Sequence, residues 1–226
     1  MKKNTEPKTK KRFKKRYWVL LPIIMVLLLV LLATHRPASY KPLAPPEDNK
    51  PSPYLTSVLM PNLYNGAQRG EPFELIVTEK GINDMISRQA WPLMAGDFSF
   101  SAMQVIILDE HILIMATATA GDANFLISTQ LWPAINEQGL LNLHISDVKI
   151  GAVNITLIAR LISRTIYAER LNPSPEDMKR QSVQITRSVI NDIPFDPVFE
   201  IDDIKLRIAE AQILQGKIRT ILVPIE

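Results

Sequence analysis

The sequence contains no cysteine, and its 226 residues include only three histidines and eight glycines. Without thiols the chain can form no disulfide framework, no thiolate nucleophile and no thiolate metal site. The few glycines build no phosphate-binding loop, and the common hydrolase, metalloprotease and nucleotide-binding motifs are missing. We therefore predict no catalytic residues, no metal site and no cofactor, and we expect that the protein is not an enzyme.

Positive charge is scarce outside the N-terminus. Residues 1–16 hold nine Lys and Arg against one Glu, whereas from Pro37 onward 16 basic residues stand against 22 acidic ones, a net charge of −6. The formal charge of +3 for the whole chain therefore comes from the tail. An acidic folded part argues against nucleic acid as a partner.

A single long apolar run, Trp18 to Ala33, follows the basic segment. As a helix it would be about 24 Å long, and with its flanks it can span a bilayer. Pro22 is then expected in the first turn of this helix. We predict a basic cytoplasmic tail (1–16), a single-pass transmembrane anchor in the cell membrane (17–35) and an extracytoplasmic C-terminal domain, following the positive-inside rule. A cleaved signal peptide is the alternative, although no convincing cleavage site follows Ala33.

Proline dominates the next segment, residues 36–53. Such a composition favours an extended, polyproline-like spacer. At about 3.1 Å per residue it would hold the following domain, residues 54–226, up to about 50 Å from the membrane.

In the centre of that domain, alternating apolar residues and short connections predict consecutive antiparallel strands. We predict them at 98–108, 112–120, 125–132 and 140–150, with a final strand at 217–225 whose end, at Pro224, lies at a sheet edge. The apolar phase slips by one residue at Ser146–Asp147 and again at Asp202–Asp203, which is typical of β-bulges. An earlier strand, 73–77, leads into the first helix of the domain.

Four helices are predicted in this domain, and two or three of them are expected to pack on this sheet. Thr78 is a plausible N-cap for a helix to Ala90, and a short helix from Tyr54 is expected to end at Pro61. A helix over 153–170 has an apolar stripe predicted to cover the sheet (Leu157, Ile158, Leu161, Ile162 and Ile166), with Arg160 and Arg164 opposite. A helix from Ser174 to Asn191 has a predicted inner face at Met178, Ser182, Ile185 and Val189. The fold class is thus α+β: a curved, bulged antiparallel sheet packed on two or three helices after an N-terminal transmembrane helix.

Some polar clusters resemble sites but have simpler interpretations. Asp109–Glu110–His111 lies between two strands, so a hairpin turn is favoured over an acid/base or metal site. His144 alternates with apolar neighbours and is expected in solvent. The acidic set Asp192, Asp196, Asp202 and Asp203 lacks EF-hand spacing, so a solvated strand entry is favoured over calcium.

Several segments together resemble the YpmS-like family of bacterial membrane-anchored proteins. The resemblance rests on the anchor, the stretch Phe73–Glu79, the strand Val105–Asp109 and the segment Ser146–Gly151 before an apolar helix. It implies a shape similar to tubular lipid-binding (TULIP-like) folds, in which a curved sheet wraps a helix around an apolar groove. The resemblance brings no catalytic residues.

The leading functional hypothesis is lipid binding. Strands such as Ile106–Leu108 and Ile112–Ile114 are apolar on both faces, more than one covered face requires. We predict that a lipid or acyl chain binds between the sheet and the helix at 153–170, with Ile107, Leu113, Met115, Leu157 and Leu161 as ligand-binding residues. The alternative is an envelope scaffold or complex subunit that uses the apolar face as a protein interface.

Overall fold

The computed structural model describes residues 12–48, 50–170 and 180–225 and shows an α+β fold with two antiparallel sheets and five helices. The helices are α1 (Arg12–Ala33), α2 (Met60–Gln68), α3 (Glu79–Ser87), α4 (Thr156–Arg170) and α5 (Gln181–Asn191). The strands are β1 (Phe73–Thr78), β2 (Leu93–Ala95), β3 (Phe98–Ile107), β4 (Ile112–Ala120), β5 (Ala123–Ile135), β6 (Leu141–Ile150), β7 (Val153–Asn154), β8 (Val198–Ile201), β9 (Ile204–Leu214) and β10 (Lys217–Ile225).

The prediction of one continuous sheet is wrong, because the strands form two sheets. A six-stranded sheet runs β2-β3-β4-β5-β6-β7, and a four-stranded sheet runs β1-β10-β9-β8. In the smaller sheet the first strand of the domain pairs with the last, Phe73 opposite Leu222. Pro224 lies past the last residue that β1 pairs, so the predicted edge position of this strand end is confirmed.

The bulge predicted near Ser146 is confirmed, whereas the one predicted at Asp202–Asp203 is wrong. Gln130 pairs with Asp147 and Leu131 with Ile145, which leaves Ser146 as the extra residue of β6. Asp202 and Asp203 both have positive φ and form the two-residue turn of the β8–β9 hairpin. Positive φ at both central positions is the mark of a type I′ hairpin turn, which shifts the apolar phase just as a bulge does.

Two apolar clusters hold these layers together. The first packs α2 against the four-stranded sheet through Leu63, Ala67, Leu75, Leu206 and Leu222. The second joins the two sheets and α3: Val105, Ile107 and Ile112 of the larger sheet meet Ile213 of β9, with Ile82 and Ile86 packed against them. The strands of the larger sheet therefore have one face on the main core.

Local interactions determine where helices α2 and α3 begin. Thr78 caps α3 as predicted, since its hydroxyl accepts a hydrogen bond from the Gly81 amide at 3.1 Å. A side chain at position 81 would collide with the ring of Tyr54, so glycine is required there by close packing. Pro61 does not end the preceding helix; it occupies the first turn of α2, which a π-helical turn (Leu55–Leu59) precedes.

The N-terminal helix α1 extends from Arg12 to Ala33, so Pro22 lies in its interior and not in its first turn. Among the residues that the structure describes, no helix combines the length and apolarity of a membrane span. At the other end of the chain, the predicted helix start at Ser174 and the inner-face residue Met178 lie outside the described residues.

The proline-rich segment is not a free spacer, because it is bound along the domain. The Tyr40 hydroxyl contacts Ala102 O at 2.6 Å and Thr117 Oγ1 at 2.9 Å, and the Lys41 amide donates to Gln104 Oε1 at 2.5 Å. Side-chain oxygens and amides on the domain can thus anchor a chain that has no regular hydrogen bonds of its own.

Further along, the same segment is held by a charged cluster on α3. Arg88 pairs with Asp48 at 2.9 Å and also donates to Lys50 O. The Ser52 hydroxyl donates to the Asp84 carboxylate, and this hydrogen bond, assisted by Arg88, lowers the pKa of Asp84. Residues 36–48 and 50–53 are therefore bound along the domain between α1 and the helical turn before α2, and we call them the strap below.

Candidate functional site

The five predicted ligand-binding residues do not come together in one groove. Ile107 and Met115 are core residues, each 1% exposed, and Leu113 is half-buried. Ile107 pairs with Ile112, so it shares a face of the sheet with Ile112, whereas Leu113 and Met115 lie on the opposite face. The sheet itself therefore separates Ile107 from Leu113 and Met115.

Helix α4 presents to the sheet the face opposite to the predicted one. Its apolar stripe is exposed: Leu157 is 82%, Leu161 69%, Ile158 59% and Ile162 51% accessible. Ala159 and Ser163 are half-buried on the other side, and Arg160 donates from Nη2 to Ile145 O at 2.7 Å. The prediction that this stripe covers the sheet is wrong, and so is the solvent-facing position of Arg160.

The start of α4 explains this orientation. Thr156 accepts a hydrogen bond from the Val148 amide at 2.8 Å, and its own amide donates to Asn154 Oδ1 at 3.0 Å. The first bond attaches the start of α4 to β6 and the second attaches it to β7, which turns Leu157 and Ile158 outward. Helical periodicity gives the stripe but not the direction in which it faces.

A small cavity occupies the position of the predicted groove. It measures about 60 Å³ and lies among Ile145 and Val148 of β6, Ala159, Arg160 and Ser163 of α4, and Val189, Ile190 and Asp192 of α5. Pockets for drug-sized ligands measure about 300–1,000 Å³. Thr129, opposite Val148 in the sheet, has a buried hydroxyl without a hydrogen-bond partner in the described part of the chain. The groove as it stands is too small for an acyl chain.

Two larger surface cavities lie elsewhere. One of about 460 Å³ is lined by β9 and β10 together with Ile135 and Asn136. The other, of about 470 Å³, lies between α2 and β1, beside Arg69 and Phe73. Neither is lined by any of the five predicted ligand-binding residues.

The inner face of α5 centres on Ser188, which the sequence pattern did not indicate. Ser188 is fully buried; its hydroxyl accepts from the Leu143 amide at 2.8 Å and donates to Asn142 Oδ1 at 3.2 Å. Ser182 and Ile185, predicted inner-face residues, are exposed, and only Val189 is half-buried. Because Ser188 is polar, apolar periodicity does not assign it to the inner face of α5. The pattern instead predicts Val189, one position further along the chain.

The polar clusters are engaged in structural contacts. His144 Nδ1 lies 2.6 Å from Asp192 Oδ1, and Asp196 pairs with Arg207 at 3.0 Å. Asp109 accepts from the Gln215 amide at 3.0 Å. The pairing of Ile107 with Ile112 confirms the predicted turn between β3 and β4. Across residues 12–48, 50–170 and 180–225, no three His, Asp or Glu side chains are grouped as a metal site would require.

The end of α1 meets the turn between β6 and β7. Leu32 O accepts a hydrogen bond from the Ala152 amide at 2.8 Å, while the neighbouring Gly151 amide donates to Leu126 O, also at 2.8 Å. Gly151 has a positive φ and lies against the carbonyls of Leu32 and Ala33, where no Cβ would fit. The apolar side chains from Trp18 to Leu32 are 37% to 83% exposed wherever they are described. Two exposed apolar surfaces, those of α1 and of α4, therefore meet at this turn.

Comparisons with protein family models, curated proteins and solved structures find no match to this chain.

Proposed function

We propose that this chain is a membrane-anchored, extracytoplasmic, non-enzymatic protein that binds lipid or another apolar ligand, and that α1 spans the membrane. The observation that carries the proposal is the exposed apolar surface of α1. Leaving so many leucine, isoleucine and valine side chains in water is unfavourable by about 25 cal/mol for each Å². A bilayer removes that penalty without any protein partner.

Helix α1 falls short of the length and apolarity of a membrane span, so the proposed anchoring also needs its flanks and an adapting bilayer. Trp18 to Ala33 would cover about 24 Å, short of the roughly 30 Å hydrocarbon core. Trp18 and Tyr17 suit the interface, and a short span is accommodated by local thinning of the bilayer. Pro22 inside the helix is tolerable because neighbouring groups and water can satisfy the freed carbonyl in membranes.

Orientation is proposed from charge. Nine basic residues precede the apolar run and only Arg36 and Lys41 follow it closely, so the positive-inside rule directs the N-terminus to the cytoplasm. Alkaline phosphatase fused after Glu226 should be active, because that enzyme matures only after export. An inactive phosphatase fusion together with a fluorescent cytoplasmic reporter at the same position would reverse the orientation. Mass analysis of the mature N-terminus distinguishes an anchor from a cleaved signal.

The lipid-binding part of the proposal requires the cavity between β6 and α4 to widen. Hydrogen bonds of Thr156 and Arg160 hold α4 to β6. If these bonds open, a modest movement of α4 away from β6 would enlarge the cavity between them. The Thr129 hydroxyl, which has no hydrogen-bond partner among the described residues, lies on the same face of the sheet and would suit a ligand's polar group. The resemblance to YpmS-like proteins belongs to this proposal as well.

Native mass spectrometry of the full chain, purified from membranes in mild detergent, tests lipid binding. A bound lipid should co-purify, and Ala159→Leu, which adds bulk inside the cavity, should reduce its occupancy. Thr165→Leu places the same leucine side chain at an exposed position of the same helix and is the control. Absence of lipid from the unmodified chain, or equal occupancy in both variants, would reject the groove.

A protein interface on α4 is the second candidate function, because the exposed stripe would also suit an envelope protein partner. The absence of enzymatic activity is proposed from the polar groups, whose described contacts are turns, caps and surface ion pairs. A site-specific crosslinker at Ile162 in intact cells distinguishes the two candidates: a discrete protein adduct favours the interface, and lipid adducts alone favour lipid binding.

A further inference from the structure

We infer that the first two turns of α4 lie in the headgroup region of the same bilayer leaflet into which α1 ends, so that the domain is attached to the membrane at a second point. This inference rests on the proposed membrane span of α1. It names the surface that covers the exposed stripe of α4: a lipid bilayer, not a protein.

Chain connectivity places the two helices together. Leu32, in the last turn of α1, is hydrogen-bonded to Ala152, and α4 begins at Thr156. Four residues of chain reach at most about 14 Å. The exposed residues Leu157, Ile158, Leu161 and Ile162 occupy the part of α4 nearest to this junction. If α1 ends at the surface of the bilayer, these side chains are within reach of the same interface.

The contacts of the strap argue against an extended spacer that would hold the domain far from the membrane. Tyr40 is bound to β3 and β4 through Ala102 and Thr117, only a few residues after α1 ends. The domain is thus held against the end of α1 by both the strap and the β6–β7 turn.

The charges around the stripe suit lipid phosphates. The first turn of α4 has no acidic residue. Arg164 is exposed and, by helical geometry, lies beside Leu157 at the border of the stripe and not opposite the stripe as predicted. Asp147, whose carboxylate accepts hydrogen bonds from Asn154 and Thr156 at the start of α4, is paired with Lys149 Nζ at 2.6 Å. Apolar residues bordered by a cation are typical of interfacial amphipathic helices.

The position of the β2–β3 hairpin supports the same orientation of the domain relative to the membrane. Strand directions place its turn, after Ala95, at the same end of the six-stranded sheet as the β6–β7 turn at Gly151. This hairpin also exposes large apolar side chains, namely Leu93, Met94 and Phe98. Both edges of that end of the sheet therefore carry apolar surface, as expected for an end that faces a membrane.

The absence of cysteine makes a direct test possible, since one introduced cysteine labels one site. The full chain is reconstituted in vesicles of phosphatidylcholine and phosphatidylglycerol, with a spin label at Val26→Cys, Leu161→Cys or Gln138→Cys. Gln138 is exposed in the β5–β6 turn, and β6 places it about 30 Å from the α1 junction. Collision rates with oxygen, which partitions into lipid, and with a water-soluble nickel chelate are compared at each site.

The inference expects lipid-like behaviour, oxygen collisions exceeding nickel collisions several-fold, at positions 26 and 161, and the reverse at 138. An aqueous label at 161 with a lipid-exposed label at 26 would reject the inference and leave the anchor intact. An aqueous label at 26 would reject the anchor and the inference together. Spin–spin broadening at 161 that disappears on dilution with unlabelled protein would show that a second copy covers α4, which also overturns it. Because Leu161 is exposed, its replacement should leave the far-UV circular dichroism unchanged.

Discussion

The docking of the strap can be tested at Tyr40, where one hydroxyl group makes two hydrogen bonds to the domain. Since that hydroxyl has a single hydrogen and donates it to Ala102 O, Thr117 Oγ1 must donate in the second bond. Tyr40→Phe removes both bonds and keeps the ring. At about 0.5–1.5 kcal/mol for each net hydrogen bond, we expect a loss of about 1–3 kcal/mol in the free energy of unfolding.

A double-mutant cycle with Thr117→Val isolates the contact between strap and sheet. Urea unfolding of the full chain in mild detergent, followed by tryptophan fluorescence, gives the free energies, and the coupling of the two changes should reach at least about 0.5 kcal/mol. Tyr64→Phe is the control, because Tyr64 is exposed and its hydroxyl has no partner within the described ranges. It should change stability by less than about 0.5 kcal/mol.

The result that would refute this reasoning is additivity. If Tyr40→Phe and Thr117→Val add within about 0.3 kcal/mol, the strap does not bind the domain at this point. If the strap detaches locally before the domain unfolds, the equilibrium measurement underestimates the strength of the bond. Amide hydrogen exchange at Lys41, whose amide donates to Gln104, then gives the local opening free energy directly and must fall in the Tyr40→Phe variant.

Three further predictions concern stability. Ile107→Ala should cost about 2–5 kcal/mol as a core cavity, whereas Leu157→Ala should stay within about 0.5 kcal/mol; equal effects in urea unfolding would contradict the burial described for these residues. Gly81→Ala should destabilise by about 1–3 kcal/mol through its clash with Tyr54, despite better helix propensity, and should become stabilising in a Tyr54→Ala background. Because the folded-state pKa of Asp84 is lowered, its contribution is present above pH about 4 and is lost as the pH falls through the folded pKa; Asp84→Asn should flatten the acid limb of stability against pH, and an unchanged limb would exclude this role.

Local features of this protein follow from the sequence alone. The strand Ile112–Ala120, the Thr78 cap and the extra residue Ser146 in β6 were all predictable. Each depends on contacts within a few residues: side-chain alternation, one hydroxyl three residues from its amide, or a slip in a repeating pattern. Such signals survive whatever the rest of the chain does.

Equivalent local patterns were decided by distant partners. Asp202–Asp203 and Ser146–Asp147 give the same phase slip, yet one is a hairpin turn and the other a bulge. After Asp202–Asp203 the chain reverses, and β9 pairs with β8. At Ser146–Asp147 the chain keeps its direction, and β6 stays paired with β5. Likewise, the sequence pattern predicted a single sheet. The pairing of Phe73 with Leu222 instead places the first and last strands of the domain in a separate four-stranded sheet.

The candidate site was the least predictable part, because it depends on the directions in which amphipathic elements face. The sequence by itself determined that Leu157, Ile158, Leu161 and Ile162 form one stripe and that the strap lacks secondary structure of its own. Only the tertiary structure decided that the stripe faces outward and that the strap is bound. Thr156 and Arg160 hold α4 to β6 by polar contacts, and Tyr40 reaches residues more than 60 positions away. A helical period carries no information about which neighbour it will meet, and a hydroxyl group carries none about its distant acceptor.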